Sequence, residues 1–203
     1  LDCSGQSSNL ISLDLNNNTA LTTLICDDNH LITNFDVSGA TALTYLNCRA
    51  MDLTSLDVSQ NTALTYLDCS QQALSSSFVG FSLDVSNNTA LTYLNCELND
   101  LTSLDVSQNT ALDTLICSSN QLTSLDLSNN TALTYLSFKL NQQPTTLDVS
   151  GATALTTLIC YNSQITSLDV SNNTALTYFN CSNNQLTFLD LRNGNNTNMT
   201  NGW

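Results

Sequence analysis

The sequence predicts a solenoid of short parallel β-strands with very little α-helix, and three observations carry that prediction. First, an apolar-Asp-aliphatic triplet recurs along the chain, with aspartates at Asp14, Asp36, Asp57, Asp84, Asp105, Asp126, Asp148, Asp169 and Asp190. Successive gaps are 22, 21, 27, 21, 21, 22, 21 and 21 residues, and a fixed period of this size over nearly all of a chain calls for stacked turns. Second, each turn contains an x-Leu-x-Cys segment whose side chains would alternate inward and outward as a strand. Third, the other apolar segment of each turn, Leu101 to Val106 in one of them, lacks the 3.6-residue spacing of a helix. An extended or 3₁₀ path is expected there.

Taken in order, Cys3 stands where Cys26 stands in the next turn, and no amphipathic capping helix precedes it. The chain opens inside a repeat, at Leu1-Asp2-Cys3, without an initiating Met or a secretion signal. It reads as an excised fragment or mature product without its terminal caps. Units then start at Leu21, Leu43, Leu64, Leu91, Leu112, Leu133, Leu155 and Leu176, each with a short strand pairing in parallel with its neighbours. Gly and Pro are rare, and turning falls to Asn, Ser and Asp, which tolerate left-handed backbone. Between Leu74 and Leu83 the text SSSFVGFS lengthens one unit. Its Phe78, Val79 and Phe81 either fold back on the core or form an apolar contact point. Gln142-Gln143-Pro144 adds a further residue and a kink. Met199 keeps a leucine slot near the carboxyl end, after which a further domain is expected. Residues 1–203 thus form a single solenoid of about nine turns.

Within one unit, Thr89 to Asn109 read TALTYLNCELNDLTSLDVSQN. Leu91, Leu94, Cys96, Asn99 and Leu101 spell L-x-x-L-x-C-x-x-N-x-L, which resembles the leucine-rich-repeat signature with cysteine in its third apolar slot. The resemblance covers almost the whole chain and is closest to bacterial internalin-type repeats of the 21-residue variety that carry a cysteine column. It implies a leucine-rich-repeat horseshoe with its parallel strands on the concave face, used for binding.

Composition narrows the partners. Seventeen acidic residues stand against Arg49, Lys139 and Arg192, for a formal charge of −14. Phosphate backbones need clustered cations, so nucleic acid is excluded as a partner. No apolar run approaches the length of a membrane span. One histidine, His30, no nucleophile elbow and no asymmetrically placed carboxylate pair leave little for general acid or base chemistry. The chain is therefore read as non-enzymatic, with no cofactor.

Four columns are structural candidates. Cys3, Cys26, Cys48, Cys69, Cys96, Cys117, Cys160 and Cys181 share one position, with Phe138 in the remaining unit. Equivalent positions on parallel strands lie about 4.8 Å apart and point the same way, an awkward geometry for disulfides, so free buried thiols are expected. Zinc is not, for want of converging ligands. Asn29, Asn99, Asn120, Asn141 and Asn184 follow three residues after this column and should bond the backbone of adjacent turns. Met51, Gln72 and Ser163 depart from that pattern, and the ladder should be looser there. Asn18, Asn61, Asn88, Asn109, Asn130 and Asn173 form a second ladder at the other corner. The aspartate column should cap nearby amides. Calcium is the alternative, though the glycine-rich spacing of calcium-binding repeats is missing.

Function is expected on the outward strand face. One column reads Thr23, Tyr45, Tyr66, Tyr93, Thr114, Tyr135, Thr157, Tyr178, and the column two residues on reads Ile25, Asn47, Asp68, Asn95, Ile116, Ser137, Ile159, Asn180. Threonine always accompanies isoleucine and tyrosine a polar residue, as duplication of two unit types would also produce. The consecutive Tyr45, Tyr66 and Tyr93, with Asn47, Asp68, Asn95, Arg49 and Glu97, form the candidate ligand site, because tyrosine combines large contact area with a hydroxyl. A protein ligand is the first expectation and a surface glycan the second. Ice binding through Thr22, Thr44, Thr65, Thr92, Thr134, Thr156 and Thr177 is the third, weakened by the break at Asp113. The chain is expected to be secreted or displayed at the cell surface, as a monomer within a larger multidomain protein.

Overall fold

The structure, a computed structural model, describes residues 1–6, 9–32, 34–72, 80–141, 145–195, 200 and 201. Phe78, Val79, the Gln142-Gln143-Pro144 step and Met199 lie outside them. A nine-stranded parallel sheet runs the length of the molecule, each strand hydrogen-bonded to the one a turn away. Its strands are Thr23–Ile25, Tyr45–Asn47, Tyr66–Asp68, Tyr93–Asn95, Thr114–Ile116, Tyr135–Ser137, Thr157–Ile159, Tyr178–Asn180 and Thr200–Asn201. Register is uniform, so Tyr45 pairs with Tyr66 and Tyr66 with Tyr93. Strand alternation therefore becomes column alternation: from Leu24 to Phe179 each central residue is sealed in the core and its neighbours are partly exposed, except Asp68 and Ser137, which are covered.

The opposite side is extended, with no α- or 3₁₀-helix among the described residues. It pairs in three places: Ser55–Asp57 with Ser82–Asp84, Ser124–Asp126 with Thr146–Asp148, and Ser167–Asp169 with Phe188–Asp190. Leucine-rich-repeat geometry thus follows from two short extended segments per turn. Phe81, at the end of the long insertion, is 5% exposed and joins the core.

The cysteines are free. Cys26, Cys48, Cys69, Cys96, Cys117 and Cys160 are fully buried, Phe138 fills the same column, and Cys3 and Cys181 are partly covered. Cys26 Sγ–H reaches the Asn47 carbonyl at 3.3 Å. The thiols thus pack as small hydrophobes with a weak donor.

Two residues after each cysteine the backbone turns left-handed: Gly5, Asp28, Ala50, Gln71, Leu98, Ser119, Leu140, Asn162 and Asn183 have φ between 53° and 68°. Only glycine adopts this region without a steric penalty. The other residues are held there because their amides reach across to the next turn, Leu98 N–H to Ser118 O at 3.1 Å and Leu140 N–H to Tyr161 O at 3.0 Å.

The amide slot one residue further on locks this bend. Asn120 Nδ2 donates to Cys96 O and Cys117 O at 3.0 and 3.1 Å, while its Oδ1 accepts from Asn99 N–H and Leu101 N–H at 3.2 and 2.9 Å. Asn184 repeats the arrangement against Cys160, Cys181, Ser163 and Ile165. The expected loosening at Gln72 does not occur. Its longer side chain still donates to Cys48 O and Cys69 O and accepts from Met51 N–H and Leu53 N–H at 3.1 and 3.0 Å. At Ser163 the hydroxyl lies 2.9 Å from Phe138 O, a reduced version of the same contact. Met51 has no amide, and Cys26 Sγ lies 3.7 Å from its sulfur instead.

The second ladder is one-sided. Asn61, Asn88, Asn109, Asn130 and Asn173 each donate to two carbonyls of the preceding turn, but their Oδ1 atoms are buried without a partner. Asn18 is exposed. Where Gly39-Ala40 and Gly151-Ala152 replace the usual residues, the turns touch: a Cβ on Gly39 would fall 2.6 Å from Leu15 O, and one on Gly151 would press still harder on Ser128 O.

Burial pushes the six core thiols upward, Cys96 to about 12. A raised folded value means that stability is complete below the unfolded thiol range near pH 8.5 and is lost as pH rises toward the folded value. The melting temperature should therefore hold to about pH 8 and fall progressively above about pH 9. Without reductant, thiol titration should find only Cys3 and Cys181 readily reactive in the native chain, and all eight cysteines after unfolding. Eight fast thiols in the native state, or fewer than eight after unfolding, would contradict the buried free column.

Candidate functional site

Uniform register stacks the outward tyrosines face to face. The rings of Tyr45 and Tyr66 lie with centroids 4.1 Å apart and planes 7° from parallel, and those of Tyr66 and Tyr93 at 4.3 Å and 5°. All three are half-buried, because each ring covers its neighbour. Both faces of Tyr66 are occupied, so the row presents ring edges and hydroxyls to solvent. Burial pushes the Tyr66 hydroxyl well above the usual tyrosine range and raises that of Tyr93, which keeps them neutral donors and acceptors.

The polar column beside the row is already bonded to itself. Asn47 Nδ2 donates to Asp27 Oδ1 at 3.1 Å and Asn95 Nδ2 to Asp68 Oδ2 at 3.1 Å. The side-chain oxygens of Asn47 and Asn95 accept from Arg49 N–H and Glu97 N–H, both at 3.2 Å. Asp68 also accepts from the Ser70 amide and hydroxyl at 3.0 and 2.6 Å, and it is only 9% exposed. Arg49 donates to Gln71 Oε1 at 2.7 Å and lies 3.6 Å from Asp28. Lys139 reaches Glu97 at 3.7 Å across an intervening turn. The eight candidate residues therefore lie on neighbouring columns of one sheet face, where the tyrosines carry the open contact edges and Asn47, Asp68 and Asn95 are bonded to side chains of adjacent turns and to nearby amides.

The threonine column is occupied too. The hydroxyls of Thr44, Thr65, Thr92 and Thr156 donate to the carbonyl of the neighbouring turn at 3.0 to 3.1 Å. Thr134 donates to Asp113 Oδ1 at 2.6 Å, so the break at Asp113 is itself bonded into the column.

Every member of the aspartate column accepts the amide two residues on, from Asp14 with Asn16 at 3.0 Å to Asp190 with Arg192 at 3.0 Å. These Asx turns offset the repulsion of stacked charges and shape the corner. Among the described residues no group of three or more His, Cys, Asp or Glu side chains converges as a metal site. His30 Nδ1 faces Asp52 Oδ2 at 3.3 Å at the edge of a cleft.

One feature is not readable from alternation alone. Leu98 and Leu140 lie in the left-handed column beside Glu97 and Lys139, and Leu98 is 40% exposed. Their only sequence signal is leucine where other turns place Gly, Ala or a polar residue.

No family model matches the chain, and neither does any curated protein. Solved structures do. The functional domain of InlJ from Listeria monocytogenes, described as including a cysteine ladder, is 39% identical over 90% of this chain and 46% of that one, with a TM-score of 0.69. The internalin InlF from Listeria monocytogenes is 25% identical over 92% of this chain and 57% of that one, with a TM-score of 0.65. A leucine-rich-repeat protein of Leptospira interrogans shares the fold at 22% identity, with a TM-score of 0.71, over 91% of this chain and 53% of that one. This chain spans about half the length of each of these three structures.

Hydrogen bonds from the Ser38 hydroxyl and amide hold Asp36 below the usual carboxylate range, and the amide and hydroxyl of the following serine do the same for Asp57, Asp84, Asp105 and Asp126. The Arg192 guanidinium, then its amide, hold Asp190 at about 2. A depressed folded value means that stability is complete above the unfolded range near pH 4 and is lost as pH falls toward the folded values. Thermal melts should be level between about pH 5 and 8 and drop steeply between about pH 4 and 2. An unchanged melting temperature down to about pH 2 would show that the Asx turns contribute nothing.

Proposed function

We propose that this leucine-rich-repeat solenoid, similar to the listerial internalins, is a non-enzymatic extracellular binding module whose partner is a protein. It acts as one continuous solenoid of about nine turns, secreted or held at the cell surface within a larger chain, with the nine-stranded sheet as its concave recognition face. The observation that supports this most is the stacked row of Tyr45, Tyr66 and Tyr93. The rings are ordered before any ligand arrives, so little side-chain entropy remains to be lost on binding. The braced polar column around them is likewise paired in advance.

The same stack weighs against a glycan. Sugars pack their C–H faces on open aromatic faces, and in this row the interior faces are covered by neighbouring rings. Ring edges and hydroxyls suit a protein surface, where carbonyls, amides and the faces of partner aromatics meet them. The ice-binding reading is disfavoured because the threonine hydroxyls donate to backbone carbonyls, leaving no regular row of free donors.

Tyr66→Ala combined with Tyr93→Ala should weaken binding of a partner isolated with the unmodified chain by about 2 kcal/mol or more, with little change in melting temperature. Thr157→Ala with Ile159→Ala, on the same face outside the row, is the control. Equal loss from both pairs, or loss from neither, would move the binding surface elsewhere. A glycan-array signal abolished by the tyrosine pair would replace the protein reading with the sugar one.

A further inference from the structure

We propose that the strand face holds a slot for a planar cation, the guanidinium of an arginine on the partner, between Tyr93 and Tyr135 and above Thr114. The slot rests on the reading of this face as a protein-binding surface, and it names one side chain that the partner carries. Register places its walls. Tyr93 pairs with Thr114 and Thr114 with Tyr135, so the tyrosine row is interrupted for one turn by a side chain with no ring. One face of Tyr93 is covered by Tyr66 at 4.3 Å. Among the described residues the stack ends there, and the other face of Tyr93 looks across Thr114 toward Tyr135.

Width follows from the spacing of the turns. Two steps between parallel strands come to about 9.6 Å, and the rings that do stack sit 4.1 and 4.3 Å apart. The missing ring therefore leaves room for one flat group in contact with a tyrosine on either side. Thr114, half-buried, is the floor.

Charge selects which flat group enters. Asp113 is the one member of the threonine column that carries a carboxylate, and it is exposed. Its Oδ1 accepts from the Thr134 hydroxyl at 2.6 Å and its Oδ2 lies 3.5 Å from the Thr114 hydroxyl, which draws the carboxylate to the mouth of the slot. Hydroxyls orient it and leave its charge uncompensated. Lys139, the cation of the next turn, faces Glu97 instead. A guanidinium meets every demand of the site: it is flat, its positive charge is attracted to ring faces, and its N–H groups donate to a carboxylate. An ammonium is a point charge that cannot fill a flat slot. The turn pair further on supplies an internal comparison. Thr157 lies between Tyr135 and Tyr178, with Thr156 where Asp113 stands in the first slot, so the shape recurs without the charge.

The test is an NMR titration of the unmodified chain with N-acetylarginine amide, read on the ring signals of Tyr93 and Tyr135. Both sets of signals should shift together and saturate, while N-acetyllysine amide and N-acetylphenylalanine amide should bind at least about fivefold less tightly. Asp113→Asn should weaken the arginine amide by about fivefold, and so should added salt. Thr114→Tyr fills the slot with the residue that neighbouring turns already carry, and it should abolish binding while the melting temperature holds. Thr157→Tyr should leave binding unchanged. No saturable shift in the unmodified chain, equal binding of the lysine or phenylalanine amide, or binding that survives Thr114→Tyr would overturn the slot. The row is judged separately, on the protein partner. Partner binding that is lost in Tyr66→Ala with Tyr93→Ala but untouched by Thr114→Tyr would remove the slot and leave the row. Arginine-amide binding blocked by Thr114→Tyr, with partner binding indifferent to Tyr45→Ala and Tyr66→Ala, would keep the slot and remove the row.

Discussion

A side-chain amide that reaches both ways across a sharp bend is the constraint on which this structure depends. At each turn the chain leaves the sheet within a few residues of the buried cysteine, and the backbone groups there are too far into the bend to pair with one another. Unpaired and buried, each would cost on the order of 1–3 kcal/mol. Asn120 satisfies two carbonyls and two amides at once: Cys117 O belongs to its own turn, and Cys96 O and the amides of Asn99 and Leu101 belong to the preceding one. The bend and the stacking of turns are thereby one interaction. Gln72 shows that the chemistry matters more than the residue, because an additional methylene leaves all four contacts in place.

Surface properties follow from the regular stacking that this ladder enforces. Uniform register aligns Tyr45, Tyr66 and Tyr93 closely enough for their rings to stack. It also aligns nine carboxylates, whose repulsion is offset one turn at a time by the amide two residues on. The left-handed column is held by amide-to-carbonyl bonds between turns, so residues as unsuited to it as Leu98 and Leu140 are tolerated. Solenoid stability is built from neighbour-to-neighbour terms of this kind, which lets individual outward positions diverge without disturbing the core.

Most of the fold was legible in the sequence because a repeat states the same physics many times. The 21-residue spacing, the alternation around Leu94 and the amide at Asn99 each recur, so chance agreement is averaged away. Column identity also separated inward from outward residues, and the eight candidate residues do lie on neighbouring columns of one sheet face. Pairing within that surface was not legible. Alternation says that Asp68 points outward, but it does not say that Asn95 and Ser70 cover it, nor that stacking hides the faces of Tyr66. The adequacy of Gln72 was also missed, since its reach depends on where Cys48 O and Leu53 N–H lie in three dimensions. The strain at Leu98 is a backbone property, and no hydropathy pattern reports it.

The ladder is tested most directly by comparing one residue from each amide column in urea unfolding. Asn120→Leu removes a side chain bonded at both ends and strands three buried backbone groups, Cys96 O, Asn99 N–H and Leu101 N–H, while Cys117 O keeps the Asn141 amide at 3.3 Å, so it is predicted to cost at least about 3 kcal/mol. Asn130→Leu removes a donor whose own oxygen is unpaired, and its cost should be clearly smaller. A loss of no more than about 1 kcal/mol at Asn120, or equal losses at the two positions, would mean that the turns are held by apolar stacking alone.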